Sequence, residues 1–180
     1  LSSIHDMAAS DCDAVHVLLP PALHTSAAMT LVEAGKSVFL EKPMGLDSAA
    51  CAALYEQAAA RNVAVAVGHN FLFSRGYEWL RANVKAGALG RLDQLSVSWH
   101  FALPTLQFGP SDSWMFGAPA NLLFEIGPHL AAFVVDLIGL PEVTAAVAAN
   151  PITLPGAQVV YRHWNALCHG DSGSAMLSIS

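Results

Sequence analysis

The chain has 180 residues, of which 54% are hydrophobic and 12% charged, and its formal net charge is -6. This composition excludes a disordered chain, and a negative charge without a Lys/Arg cluster excludes a nucleic-acid-binding protein. Three widely spaced cysteines in apolar surroundings predict reduced thiols in a cytoplasmic protein rather than a disulfide framework.

Up to about residue 70, short apolar runs alternate with stretches of helical spacing. The pattern predicts three strands and two helices, in the chain order 14–19, 22–34, 38–40, 47–61 and 63–67. Asp47 is a suitable N-cap, and Gly35 a suitable left-handed C-cap, for the two helices. Repeated βαβ units build a parallel sheet, so we expect helices on both faces and strands that are buried on both faces.

After residue 70 the pattern changes to one-faced alternation, which is typical of an antiparallel or mixed sheet. The predicted elements are a helix at 76–86, strands at 94–101, 142–149, 158–168 and 174–180, a long loop at 102–120 and a helix ending near Gly139. The fold class is therefore α/β followed by α+β with a mainly antiparallel open sheet. We place the domains at 1–72 and 73–180.

The most apolar window, Leu122 to Leu140, resembles a membrane span in composition. Three ionisable residues and a Gly-Pro pair interrupt it, which favours a buried helix and predicts no membrane partner. The histidines show no ligand spacing, so no metal site is predicted.

Lys42 stands directly after the apolar strand, before Pro43. Proline cannot donate to a sheet and restricts the residue before it to an extended backbone, so the strand ends here. Ligands of parallel sheets bind beyond the carboxyl ends of the strands, which places Lys42 where chemistry is expected. The alternative is a solvated lysine that forms an ion pair with Glu41.

An ordered set of motifs resembles the Gfo/Idh/MocA family, the glucose-fructose oxidoreductase and inositol dehydrogenase group of nicotinamide-dependent sugar oxidoreductases. The motifs span residues 13–139, namely Asp13-Ala14-Val15 leading to Pro20 and His24, Ala34-Gly35-Lys36, Glu41-Lys42-Pro43, Gly68-His69-Asn70 with Arg75, Gly87-Ala88-Leu89-Gly90 and Glu125-Ile126-Gly127-Pro128-His129. The resemblance implies the C-terminal half of a Rossmann-type sheet and part of the substrate domain. We therefore expect a fragment of a longer protein, which by itself does not catalyse, because the glycine-rich phosphate-binding turn of the family is not among these residues.

By motif position, the resemblance implies a site that binds NAD or NADP and a sugar, a cyclic polyol or a sugar derivative, with hydride transfer across a cleft between the two domains. Lys42 would polarise the reacting oxygen, and His129 would be the acid/base, assisted by Glu125. The other implied contacts are Pro20, His24, Glu41 and Lys42 for the cofactor and His69, Asn70 and Arg75 for the substrate. For His129 the alternative is a core histidine, and for Arg75 it is an ion pair with Glu78.

Three positions depart from the family pattern, namely Glu125 in place of aspartate, Ala132 in place of aspartate, and Pro119-Ala120-Asn121 in place of a glycine-rich approach. They favour a second hypothesis, a non-catalytic sensor or regulatory protein on the same scaffold. The open sheet of the second domain predicts a homo-oligomer. The sequence leaves open the substrate, the choice between NAD and NADP, and the direction of reaction.

Overall fold

The structure is a computed structural model that describes residues 3–104, 113–156 and 158–180. The chain divides into two compact units, Leu1–His69 and Asn70–Ser180. The middle of the predicted loop 102–120 lies outside the described residues.

The first unit is a three-stranded parallel sheet in the order β1-β2-β3, with helices between the strands. Its elements are α1 (Ile4–Ala8), β1 (Ala14–Val17), a 3-10 helix (Pro21–Leu23), α2 (His24–Glu33), β2 (Ser37–Leu40), α3 (Ser48–Arg61) and β3 (Val65–Val67). Val17 is in register with Leu40, which is in register with Val67. The predicted strand-helix-strand order is confirmed.

The helix ends follow the capping residues of the sequence. The Asp47 side chain accepts a 2.8 Å hydrogen bond from the Ala50 amide at the start of α3. Asn62 ends α3 in the left-handed region, and Gly35, with φ of 78°, follows α2 in the same region. Only glycine and short polar residues adopt this conformation at low cost, which is why the helices end there.

The sheet of the first unit is buried on one face, so the expectation of burial on both faces is wrong within the described residues. Val17, Val38 and Leu40 share a core with side chains of α2 and α3. The opposite face carries His16 and Phe39, which are both exposed. The physical reason is that α2 and α3 pack on the same side, and side chains alternate between the two faces of a strand.

The second unit has a four-stranded mixed sheet in the order β4-β7-β6-β5. Its elements are a 3-10 helix (Asn70–Phe73), α4 (Arg75–Lys85), β4 (Gln94–Trp99), a 3-10 helix (Trp114–Phe116), α5 (Asn121–Ile138), β5 (Glu142–Thr153), β6 (Val159–Gly170) and β7 (Gly173–Ile179). The β5/β6 and β6/β7 pairs are antiparallel, and β4/β7 is parallel. The predicted mainly antiparallel sheet is confirmed.

Strand β5 is longer than the predicted strand at 142–149. Asn150 has a φ of 54°, yet pairing resumes at once, with Pro151 in register with Tyr161. Proline is tolerated in β5 because this strand lies at one edge of the sheet and pairs on one side only. The strand therefore continues past its predicted end, through the irregularity at Asn150.

Helix α5 runs through Pro128 without interruption. By length and composition alone it could cross a membrane. Its buried residues are Leu122, His129, Leu130, Val134 and Ile138. Val134 and Ile138 share a core with Cys168 and Ala175 of the sheet, which is typical of the core helix of a globular unit.

Candidate functional site

Four of the predicted site residues follow adjacent strands of the first unit at one edge of its sheet. Pro20 follows β1, Glu41 and Lys42 follow β2, and His69 follows β3. The strands are parallel, so their carboxyl ends meet at this edge, where open α/β sheets bind their ligands.

The segment around Lys42 is anchored on both sides. The Glu41 amide donates to the Val17 carbonyl at 3.2 Å, which continues the β1/β2 pairing beyond the strand. The Pro43 carbonyl oxygen lies 2.7 Å from Nδ1 of His24, and the peptide bond between Lys42 and Pro43 is cis. Lys42 therefore stands between two fixed backbone points.

The His24 ring is buried at the start of α2, with both nitrogens next to backbone oxygens. Nδ1 faces Pro43 and Nε2 lies 2.6 Å from the Leu19 carbonyl oxygen. Only 1% of the residue is exposed. The predicted contact between His24 and a cofactor stays a prediction, because in this structure the ring contacts the chain itself.

Glu41 lies beside His16 on the open face of the sheet. Oε1 of Glu41 is 3.9 Å from Nε2 of His16, whose ring in turn packs 4.7 Å from that of Phe39. Both members of the pair are 43% exposed, so water screens their attraction and it contributes little stability. The Glu41 carboxylate is thus accessible at the carboxyl edge.

His69 carries a buried polar atom that the described residues leave unsatisfied. Its Nδ1 has no hydrogen-bond partner among them. Burial lowers the pKa of His69 by desolvating the charged form, which keeps the ring neutral near pH 7. A buried nitrogen without a partner costs free energy and is a site where a ligand hydroxyl can bind.

In the second unit, His129 lies on α5 among aromatic rings. Phe71 meets it edge-on at 4.7 Å between ring centroids, and Trp99 stacks with it at 6.0 Å. His129 is 8% exposed, so little of it reaches the solvent. Glu125 precedes His129 by four residues in the same helix, a spacing that puts both on one side of α5.

The remaining predicted substrate residues are exposed. Asn70 begins a 3-10 helix and Arg75 is the first residue of α4. Phe71 and Trp99 were not predicted from the sequence as neighbours of His129. The alternation of β4 puts Trp99 on the apolar face of its strand, but no local pattern links it to a histidine 30 positions further on.

Residues 1–69 match the family model described as "GFO_IDH_MocA: Oxidoreductase family, NAD-binding Rossmann fold". The first unit therefore resembles the NAD-binding domain of this family. The match covers the whole first unit, including Lys42 and the carboxyl edge of its sheet.

Curated relatives extend the similarity into the second unit. The chain is 28% identical over 137 residues to scyllo-inositol 2-dehydrogenase (NADP(+)) IolW of Bacillus subtilis (strain 168), covering 76% of this chain and 38% of that protein. It is 37% identical over 94 residues to dTDP-3,4-didehydro-2,6-dideoxy-alpha-D-glucose 3-reductase of Streptomyces violaceoruber, covering 52% of this chain and 27% of that protein.

A solved structure has a similar fold. Levoglucosan dehydrogenase, in complex with NADH and levoglucosan, superposes with a TM-score of 0.87 at 20% identity, covering 99% of this chain and 50% of that one. The chain therefore spans about half the length of this structure and less of the curated relatives.

Proposed function

We propose that the protein is an NAD(P)-dependent oxidoreductase that transfers a hydride between a nicotinamide and the hydroxyl-bearing carbon of a sugar, a cyclic polyol or a sugar derivative. The observation that carries the proposal is Lys42, an amine at the carboxyl edge of a parallel sheet, within a stretch that matches an NAD-binding oxidoreductase family. The substrate class is supported by the names of the relatives, an inositol dehydrogenase and a deoxysugar reductase.

The carboxyl edge fits the nicotinamide end of a dinucleotide. Pro20, Glu41 and Lys42 stand there on adjacent strand ends, and the buried Nδ1 of His69 is open to a hydrogen bond from a ligand. We assign these residues to the nicotinamide, its ribose and the reacting hydroxyl. The cofactor, when bound, accepts or supplies the hydride.

In the proposed reaction, protein side chains accept or donate the proton and stabilise the charge on oxygen. During oxidation the C–H hydride leaves with its electron pair, the hydroxyl proton passes to a base, and the carbon becomes a carbonyl. We assign the proton to His129, because an imidazole titrates near neutral pH, with Glu125 as its assistant. The Lys42 ammonium stabilises the alkoxide character that develops on oxygen.

Substitution of two lysines at opposite ends of β2 tests the catalytic assignment. Lys36 precedes β2 and donates a 2.6 Å hydrogen bond to the Ser10 carbonyl, whereas Lys42 follows the strand. In the protein that contains this chain, reduction of NAD or NADP is followed at 340 nm with a panel of inositols and sugars. Lys42→Ala is expected to lower kcat by about 10²–10⁴-fold and Lys36→Ala by less than tenfold.

His129→Ala is the second arm, with His5→Ala as its control because His5 is an exposed histidine of α1. Loss of turnover in His129→Ala alone supports the acid/base role. Turnover that survives both Lys42→Ala and His129→Ala contradicts the assignment. Nicotinamide binding without turnover on any sugar or polyol would instead favour the non-catalytic sensor that the altered Glu125 and Ala132 positions suggest.

We further propose that the protein forms a homo-oligomer through the open face of the β4-β7-β6-β5 sheet. Leu167 and Met176 are paired neighbours on that face and are 50% and 41% exposed, and Val147 is 57% exposed. Symmetric association would bury this patch against its own copy. Light scattering should show a smaller species for Leu167→Lys but not for Leu140→Lys, a control that is 84% exposed and lies outside the strands. An unchanged mass for Leu167→Lys would contradict the proposal.

A further inference from the structure

A buried histidine joins the ends of β1 and β2. Carbonyl oxygens only accept hydrogen bonds, so each nitrogen of His24 that bonds its partner must carry a proton. The imidazolium makes both bonds, and either neutral tautomer makes one. In every protonation state the ring therefore donates to at least one of Leu19, which follows β1, and Pro43, which follows β2.

Thr25, the residue after His24, packs closely against the loop that follows β2. A Cβ on Gly45 would lie 2.5 Å from Cγ2 of Thr25 and 2.9 Å from Sγ of Cys51, so the loop passes closely over the first turn of α2 and α3. That turn is itself fixed, because Ala27, Ala28, Leu31 and Val32 are buried in the core of the first unit. The first turn of α2 is a rigid support for residues 41–45.

We propose that His24 is a positioning residue that holds the Lys42 amine at the carboxyl edge of the sheet through the Pro43 carbonyl. The role of the Lys42 amine in catalysis rests on the proposed function. The position of the amine does not depend on that function and can be measured separately. Lys42 lies between two anchored points, the Glu41 amide on Val17 and the Pro43 carbonyl on His24. If the bond between His24 and the Pro43 carbonyl is lost, Lys42 can move while β1 and β2 stay paired.

Histidine suits this role better than other polar residues. Its ring is rigid and presents two nitrogens in one plane that point to opposite sides, so it spans two carbonyls without bending. The amide nitrogen of glutamine corresponds to Nε2 of histidine, which faces Leu19, and glutamine has no polar atom in the place of Nδ1, which faces Pro43. His24→Gln therefore removes the anchor at Pro43 while it keeps a polar side chain.

The test uses Lys36, Lys42 and Lys85 as reporters in the protein that contains this chain. Reductive methylation with ¹³C-formaldehyde gives each amine its own NMR signal, assigned with Lys→Arg variants. Lys36 follows α2 in the first unit and Lys85 ends α4 in the second, so they report the folding of each unit. In His24→Gln the Lys42 signal should shift or broaden beyond its linewidth while the Lys36 and Lys85 signals stay in place.

An unchanged Lys42 signal in folded His24→Gln overturns the proposal, and so does an equal disturbance of Lys36, which would mean a general loss of structure. If the variant does not fold, hydrogen exchange in the wild-type chain decides. A ring N–H of His24 should exchange far more slowly than that of the exposed His5, and equal rates overturn the proposal.

Kinetics separate positioning from direct cofactor contact. If His24 acts through Lys42, His24→Gln lowers kcat and leaves the KM for the cofactor unchanged, and it adds no further loss to Lys42→Ala. A raised cofactor KM with unchanged kcat assigns His24 to the cofactor and overturns the proposal. The NMR experiment needs no substrate, so failure of the proposed function leaves the positioning result intact.

Discussion

The Tyr77 hydroxyl donates a 2.7 Å hydrogen bond to Oδ2 of Asp136 and so joins α4 to α5 in the second unit. Arg81 and Lys85 lie 3.6 Å and 3.4 Å from the same carboxylate. Desolvation alone would raise the pKa of Asp136, but the hydrogen bonds from Tyr77 and Lys85 and the two cations outweigh it and lower the pKa. Burial and the bond to Asp136 raise the pKa of Tyr77, so the phenol keeps its proton.

Tyr77→Phe should therefore destabilise the second unit by about 1–2 kcal/mol, since a hydrogen bond to a carboxylate is lost. The matched control is Asp93→Asn, which removes a 2.8 Å pair with Arg91 that is 70% and 86% exposed, and should cost less than about 1 kcal/mol. Urea unfolding of the two variants measures the difference. Equal losses would show that the α4/α5 contact is no stronger than a surface pair.

The contribution of Asp136 to the stability of the second unit should change with pH in a definite direction. Because the pKa of Asp136 is lowered in the folded state, its contribution is fully present above the pKa of the unfolded chain and is lost as pH falls through the folded value. Asp136→Asn should lower stability at neutral pH and flatten the acid limb of a stability–pH curve. An acid limb as steep as that of the wild type would assign acid unfolding to other carboxylates.

The close contact at Gly45 gives a third prediction. Gly45→Ala should cost about 1–3 kcal/mol, because a methyl group there overlaps Thr25 and Cys51. Gly76→Ala is the control, since nothing lies within 4 Å of its added Cβ in α4, and it should stabilise by up to about 1 kcal/mol. Chemical denaturation followed by circular dichroism distinguishes the two. Opposite signs are expected, and two equal losses would count against the close packing.

Local chemistry in the sequence was enough to predict β2, its end before Pro43 and the caps Asp47 and Gly35. These features depend on neighbouring residues, so a short window contains the cause. The predicted burial of Phe39 was wrong, because its burial depends on which segments cover the second face of the sheet. No property of residues 37–40 contains that information.

The contacts of His24 could not be predicted from the sequence, for a different reason. Its partners are backbone oxygens, which every residue has, so no side-chain pattern marks them. The Tyr77–Asp136 bond joins residues 59 positions apart, on helices whose faces are chosen by packing. Lys42, by contrast, was placed correctly at the carboxyl edge because the end of a parallel strand is visible in the sequence.

Phe71 gives a fourth prediction, about access to His129. Phe71→Ala removes the ring that meets the imidazole at 4.7 Å, so the reaction of His129 with diethyl pyrocarbonate should become several times faster. Phe73→Ala is the matched control, because Phe73 belongs to the same 3-10 helix but is 71% exposed. Peptide mass spectrometry reads the rate at His129 alone. No acceleration, or the same acceleration in both variants, would show that Phe71 does not cover the histidine.

Pro128 gives the last prediction, because it costs α5 a hydrogen bond next to His129. A proline inside a helix cannot donate to the carbonyl four residues earlier, here that of Phe124. Pro128→Ala should therefore stabilise the second unit by about 1–2 kcal/mol, less than the full cost of a helical proline because some burial of the ring is lost.

Pro155→Ala is the control, because Pro155 stands before Gly156, with φ of 87°, in the turn between β5 and β6. A proline preset for a turn stabilises by restricting the unfolded chain, so its removal should cost about 0.4–1 kcal/mol. Opposite signs in urea unfolding would show that α5 carries Pro128 at a cost to stability. If Pro128→Ala also changes the rate at which His129 reacts with diethyl pyrocarbonate, the proline helps to set the position of the imidazole. If stability rises and that rate is unchanged, the effect of the proline is limited to the helix backbone.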